Sequence, residues 1–215
     1  MIEILRKKKY LLSFNLIRSN GNSKMPKNFE ASDVVLRSDG QMMYVVFDNS
    51  YHIGAFCTPA AANSGKCTDQ WLHWPDKSVD EAASQFEGIA YNSLRDTYFV
   101  AQEAIPTVKD KKKYQPNIFE IRIEKTDSSP KVQILESCRV DMEYTSDSKG
   151  FEGLEFVVSE KNGKVFLLGL CEANNCASSL GDDVEDTGLG NGRVVVLQKR
   201  EATKKSTDYL FCFHL

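Results

Sequence analysis

Short apolar runs separated by polar turns recur along this chain, and their spacing is that of β-hairpins. Residues 34–36 and 43–47 are apolar runs on either side of Ser38-Asp39-Gly40. Asp-Gly and Asn-Gly between such runs favour hairpin turns, because these residues readily adopt positive φ. The same pattern returns around the turns at 92–96 and 162–163. The sequence therefore predicts three hairpins, the second and third formed by runs 89–91 with 98–101 and 154–158 with 165–170.

A Phe-Glu pair stands at or before the start of each hairpin, as Phe29-Glu30, Phe86-Glu87 and Phe151-Glu152. A period of about 60 residues with variable insertions is typical of one small sheet per repeat. Each hairpin is followed by two further strand-like runs, at 51–56 and 70–74, at 118–123 and 131–140, and at 193–198 and 208–215. Four antiparallel strands in each of three repeats predict an all-β fold of about three propeller blades.

The repeat limits divide the chain into four segments. Residues 1–27 are a lead-in, in which 10–17 is interpreted as the last strand of a preceding blade. The three blades are assigned to residues 28–80, 81–145 and 146–215. Together they predict one partial propeller domain.

Composition and charge narrow the classes of partner. The chain has 215 residues, of which 41% are hydrophobic, so it can bury a sizeable core. A formal net charge of −3 provides no basic surface for nucleic acid. No apolar run is long enough to span a bilayer. Residues 6–14 resemble a signal peptide weakly, but Asn15 and Arg18 interrupt the apolar stretch and no small-residue cleavage site follows.

The six cysteines leave two interpretations open. Cys57 and Cys67 flank one loop, Cys171 and Cys176 bracket the start of another, and each pair could form a local disulfide. Alternatively all thiols are reduced, with Cys138 and Cys212 buried in strands. Disulfides would favour an extracellular or otherwise oxidising compartment.

Acidic residues recur at equivalent places in the three repeats. In a blade, the start of the first strand and the end of the antiparallel second strand lie at the same end. We therefore expect six acids to converge near one mouth of the channel, namely Glu30, Glu87 and Glu152 at first strands and Asp48, Glu103 and Glu172 at second strands.

Two roles for these acids remain open from the sequence. Crowded carboxylates repel each other unless some protonate or a cation joins them, and Ca²⁺ prefers six to eight oxygen ligands in irregular geometry. Alternatively, each glutamate accepts backbone N–H bonds from the adjacent blade and only ties the repeats together. Glycines 88 and 153 are expected to permit close backbone approach beside these acids.

The long loop at 173–192 carries a second acidic group, Asp182, Asp183, Glu185 and Asp186, which is a candidate ligand-binding loop. Its spacing does not match an EF-hand. The chain also lacks a Gly-x-Ser-x-Gly elbow, a P-loop and a His-Glu-x-x-His motif. Any catalysis would therefore depend on carboxylates and a metal.

Residues 86–91 with 98–103 (Phe-Glu-Gly-Ile-Ala-Tyr and Tyr-Phe-Val-Ala-Gln-Glu), together with 168–176 and 190–196 of the third repeat, resemble the phytase-like and SdiA-regulated-like β-propeller family. The resemblance covers about residues 28–200. It implies a channel-centred site, often with calcium, and in the phytase-like branch an ester or phosphoester hydrolase. The positions that match are Glu87, Glu103, Glu152 and Glu172. Glu30 also matches, but Ala31 replaces the glycine and Asp48 the closing glutamate of that copy.

Two departures from this family bear on function. Such propellers close with five or six blades, so three blades predict a fragment, or a part completed by the remaining blades or by self-association. No Lys/Arg cluster accompanies the acids, which counts against a true phytase. Three hypotheses follow: a calcium-dependent hydrolase, a non-catalytic scaffold that binds a small molecule or protein at the channel face, and an inactive fragment.

Overall fold

The computed structural model describes residues 29–65, 67–75, 77, 84–107, 110–124, 130–144, 150–171, 193–199 and 211–214. These residues form antiparallel β-sheets and one short helix. The first sheet is a four-stranded meander in which each strand pairs with the next. Its strands are β1 (Ala31–Leu36), β2 (Met42–Phe47), β3 (Ser50–Cys57) and β4 (Gln70–His73).

The second and third sheets repeat this meander. The second comprises β5 (Phe86–Asn92), β6 (Thr97–Pro106), β7 (Tyr114–Glu124) and β8 (Lys131–Val140). The third comprises β9 (Phe151–Val158), β10 (Val165–Cys171), β11 (Arg193–Lys199) and β12 (Phe211–His214). β12 also pairs in parallel with β8, so the two sheets are continuous through their last strands. None of the described sheets closes on itself.

The predicted all-β class is confirmed, and the described strands form three antiparallel sheets of three or four strands. The helix α1 (Pro59–Asn63) was not predicted; the Thr58 side chain caps it by accepting a hydrogen bond from the Ala61 N–H. The strand predicted at 10–17 lies outside the described residues. Within the described part of the chain, no helix has the length and apolar character to cross a bilayer.

The three sheets stack face to face, and apolar side chains fill both junctions. Between the first and second sheets lies a cluster that includes Val46, Ile53, Leu72, Ile89, Val100 and Ile121. Between the second and third lies another that includes Ala90, Phe99, Ile118, Leu154, Leu167 and Leu197. Burial of each large side chain contributes about 1.5–3 kcal/mol, so these junctions hold the sheets together.

The described cysteines are oxidised. Cys57 and Cys67 form a disulfide across the loop that contains α1, which confirms that predicted pair. Cys138 and Cys171 are also disulfide-bonded, so the interpretation of reduced thiols is wrong for them. The predicted partner of Cys171, Cys176, lies outside the described residues. These bonds are compatible with an oxidising compartment.

The strands β5 and β9 approach each other most closely at Gly88. A Cβ built on Gly88 would lie 2.8 Å from the Cβ of Leu154 and 3.0 Å from its backbone nitrogen. At Gly153 the nearest atom to such a Cβ would be 3.7 Å away, an ordinary contact. The close approach expected at both glycines is therefore confirmed for Gly88 alone.

The contrast between these two glycines predicts different effects of the same substitution. Gly88→Ala should destabilise the protein by about 1–3 kcal/mol, because the added methyl group forces β5 away from β9. Gly153→Ala is the control and should be neutral or slightly stabilising, since alanine restricts the unfolded chain. Urea unfolding of both variants measures the difference. Equal effects would show that β5 and β9 do not meet at Gly88.

Candidate functional site

The three hairpins share one irregularity in their strand pairing. It shows which residues of the three repeats are equivalent. Each first strand has a one-residue bulge at its start, between Ala31 and Asp33, between Phe86 and Gly88, and between Phe151 and Gly153. A bulged residue is left out of the regular pairing and its side chain is redirected. The bulged residues, which occupy equivalent places in the three sheets, are Ser32, Glu87 and Glu152.

This register corrects the alignment of the first repeat by two residues. Glu30 precedes β1, and its carbonyl accepts the Asp48 N–H at 3.0 Å. The corresponding bond in the second repeat runs from the Glu103 N–H to the Gln85 carbonyl at 2.8 Å. Glu30 is thus equivalent to Gln85, and not to Glu87. The preceding Phe29 stacks on Trp71 with the ring centroids 4.6 Å apart, so the phenylalanine of this Phe-Glu pair packs within the first sheet.

In the first sheet Asp33 occupies the place of Gly88 and Gly153, and its carboxylate reaches the other two sheets. It accepts the backbone N–H of Ile89 at 2.9 Å and that of Val34 at 2.8 Å. The Leu154 N–H is also hydrogen-bonded to it. Burial raises the pKa of Asp33, and the three N–H bonds oppose that rise. One side chain therefore connects β1, β5 and β9.

This carboxylate is a tie between repeats that the sequence analysis did not include. Asp33 accepts backbone N–H groups of both neighbouring sheets, which is the role considered above for the repeated glutamates. Sequence reasoning missed it because Asp33 has no counterpart at Gly88 or Gly153. The available signal was its place directly before an apolar strand run, with two glycines at the matching sites of the other repeats.

Beside this tie, Ser32, Asp48, Glu87 and Glu152 form a group that we call the acid cluster. The Glu87 carboxyl is hydrogen-bonded to the side chains of Ser32 and Asp48. Its pKa is raised to about 7, first by burial and then by the negative charges of Asp48 and Glu152, while the Ser32 bond opposes the rise. Two carboxyls in hydrogen-bond contact cannot both ionise easily, so Glu87 keeps its proton to a higher pH than an ordinary glutamate.

The structure brings together three of the six predicted acids. Asp48, Glu87 and Glu152 lie in the acid cluster. Glu103 is buried within β6 near Tyr144, whose pKa is raised first by burial and then by the charge of Glu103. Glu30 is exposed ahead of β1. The remaining predicted ligands, Glu172 and the loop acids Asp182, Asp183, Glu185 and Asp186, lie outside the described residues.

The described side chains do not form a preformed metal centre. Among these residues, no group of three or more His, Cys, Asp or Glu side chains is arranged to hold a metal ion. Asp48 and Glu87 are in contact, and Glu152 acts on them as a nearby charge. Calcium at this place therefore stays a prediction.

A second buried polar group lies in the first sheet and has no apparent chemistry of its own. The Ser50 hydroxyl and His52 Nδ1 are 2.9 Å apart, and the His73 ring stands 4.7 Å from the His52 ring. Burial and the charge of His73 lower the pKa of His52 to about 4. His52 is therefore neutral at physiological pH, and it packs edge-on against Trp71.

No protein-family model matches the sequence, and a search of curated proteins finds no match either. The resemblance to phytase-like propellers accordingly rests on the motifs quoted above.

The raised pKa of Glu87 predicts how its removal depends on pH. Between its ordinary pKa of 4.5 and about 7, the unfolded chain loses this proton while the folded chain keeps it, so folding stability falls as pH rises. Glu87→Gln has no proton to lose. The free energy of unfolding of Glu87→Gln, relative to that of the parent protein, should therefore rise by about 1–2 kcal/mol between pH 4 and pH 8. This value is reduced to allow for solvent screening of a half-buried group.

Urea unfolding at pH 4 and pH 8 tests this expectation. Glu160→Gln, in the exposed turn after β9, is the matched control and should show no pH-dependent difference. A difference between Glu87→Gln and the parent protein that stays constant with pH would show that Glu87 titrates as an ordinary glutamate.

Proposed function

We propose that this protein is a propeller-type binding domain, of the phytase-like kind that its motifs resemble, and that it binds a cation at the acid cluster. The observation that carries the proposal is the Asp48–Glu87 carboxyl pair with Glu152 beside it. The negative charges of Asp48 and Glu152 both raise the pKa of Glu87, so the three carboxyls are close enough to act on one another. A cation bound between them would relieve this repulsion.

The packing of the sheets supports the propeller architecture. The first strands β1, β5 and β9 converge on one carboxylate, that of Asp33. The second sheet packs against the first on one face and against the third on the other. Convergent first strands and face-to-face sheets are what a propeller places around its channel.

Calcium is the cation best suited to this chemistry. Carboxylate and hydroxyl oxygens are its preferred ligands, and it tolerates irregular arrangements supplied by several chain segments. Because the cluster is not preformed, we expect modest affinity. Because the pKa of Glu87 is raised to about 7, we also expect binding to weaken at acid pH, where the proton competes with the cation.

Thermal unfolding in EDTA and then in excess calcium tests the proposal. At about ten times the dissociation constant, a ligand that binds only the folded chain stabilises it by about 1.4 kcal/mol. The midpoint should rise at pH 8 and rise less at pH 5.5. Glu152→Gln should reduce the shift, whereas the control Glu160→Gln should retain it. If calcium leaves the midpoint unchanged at pH 8, the acid cluster is a structural contact between repeats.

A second candidate function is hydrolysis of an ester or phosphoester. One specific observation favours it: a carboxyl with a pKa of about 7 stands beside a second carboxyl, Asp48. General acid–base groups work best when their pKa lies near the working pH, and paired carboxyls with different environments commonly supply them. Ser32 is the hydroxyl in contact with this pair.

Turnover of p-nitrophenyl acetate and p-nitrophenyl phosphate distinguishes this candidate from binding alone. If Glu87 is the general acid, Glu87→Gln should lower kcat by about 100-fold or more. The kcat of the parent protein should depend on pH with an apparent pKa near 7, and Glu160→Gln should retain full activity. If the esters are hydrolysed no faster than in buffer alone, the hydrolase candidate fails and the non-catalytic binding function remains.

A further inference from the structure

Each of the three sheets has apolar side chains on both faces. The register of the strands shows which face of one sheet is equivalent to which face of the next. Val34, Ile89 and Leu154 are equivalent, because they pair with Val45, Val100 and Gly169 at the same place in the three hairpins. We call the side of each sheet that carries these three residues its leading face. The opposite side, which we call the trailing face, carries the next residue along each first strand, namely Val35, Ala90 and Glu155.

The two internal junctions are built in the same order. The trailing face of the first sheet, with Val35 and Tyr44, packs against Ile89 and Val100 on the leading face of the second. The trailing face of the second sheet, with Ala90 and Phe99, packs in turn against the leading face of the third. A trailing face therefore meets a leading face each time.

This order leaves the leading face of the first sheet and the trailing face of the third without a neighbouring sheet among the described residues. On the leading face of the first sheet, Val45, Phe47 and Phe56 are buried in a cluster with the partly buried Phe29, Met43 and Trp71, so the exposed part of this face lies on β1. Ile89 and Leu154 are 2% and 8% exposed on covered leading faces, whereas the equivalent Val34 is 54% exposed. Leu36 is exposed beside Val34, and the trailing face of the third sheet exposes Leu170, Val194 and Val196. These five residues are most of the seven large apolar side chains that are exposed in the described part of the chain.

We propose that the trailing face of the third sheet packs on the leading face of the first sheet of a second copy of this chain, so that two chains close into one ring. A single chain carries both halves of the missing junction, in the order that its two internal junctions already use. Two copies related by a twofold axis would cover the exposed apolar residues of both end faces at once, which the described residues of one chain do not cover.

The proposed contact has a consequence for the acid cluster. Since β1, β5 and β9 are first strands, closure of the ring brings the second copy's acid cluster to the same central opening. The contact itself is between sheet faces and does not need a cation. Calcium binding and pairing of chains can therefore fail independently of each other.

Sedimentation equilibrium or light scattering across a concentration series tests the pairing. The parent protein should have twice the mass of one chain. Leu36→Lys on the leading face and Val196→Glu on the trailing face should each weaken pairing by about tenfold or more, because an unpaired charge would be buried. Leu94→Glu is the matched control, since Leu94 is exposed in the turn between β5 and β6, away from both faces, and this variant should remain paired.

Mixing the two disrupted variants gives the sharpest result. A chain with Leu36→Lys retains its trailing face, and a chain with Val196→Glu retains its leading face. Their mixed pair has one unaltered junction and one in which Lys faces Glu, so an equimolar mixture should recover the paired mass. A monomeric parent protein, an open-ended polymer, or a mixture that stays monomeric would each overturn the proposal. Circular dichroism of each variant confirms that its sheets are intact.

Discussion

The arrangement of the described sheets depends on one half-buried carboxylate, that of Asp33. Asp33 accepts backbone N–H groups from β1, β5 and β9 at the place where these first strands meet. Hydrogen bonds to a charged acceptor contribute about 1.5–3 kcal/mol each, and buried N–H groups without an acceptor would cost a similar amount. The close approach of β5 and β9 at Gly88 belongs to the same arrangement, because it places the Ile89 and Leu154 N–H groups within reach of one side chain.

The chemistry of the acid cluster follows from the same crowding. Asp33 finds three backbone donors, which oppose the effect of burial on its pKa. At Glu87 the hydrogen bond of the Ser32 hydroxyl opposes the rise, while the carboxyls of Asp48 and Glu152 add to it. Burial therefore acts on Glu87 with little opposition and brings its pKa to about 7. Burial thus raises the pKa of both acids, but backbone N–H groups oppose the rise at Asp33, whereas neighbouring carboxyls add to it at Glu87.

The sequence predicted the strands well because hairpin signals are local. Alternating apolar runs with Asp-Gly and Asn-Gly turns depend only on neighbouring residues, and the convergence of Asp48, Glu87 and Glu152 followed from antiparallel geometry. The failures were in register. The bulge at the start of each first strand shows that Ser32, and not Glu30, is the residue equivalent to Glu87 and Glu152. The repeated Phe-Glu motif could not reveal this equivalence, because Phe29 and Phe86 are the same residue type but pack in different places in their sheets.

Glu103 and Asp33 show a second limit of sequence reasoning. Glu103 ends an apolar run as Asp48 does, yet it is buried near Tyr144 and acts on that side chain. What separates the two acids is the depth of each strand in the stack, which depends on contacts between sheets distant in sequence. The same distinction governs Val34, Ile89 and Leu154, whose sequence patterns are alike. Only the stacking of three sheets shows that Ile89 and Leu154 are covered by a neighbour while Val34 is not. Among the described residues, exposed apolar side chains therefore concentrate on the two faces that no neighbouring sheet covers, the leading face of the first sheet and the trailing face of the third.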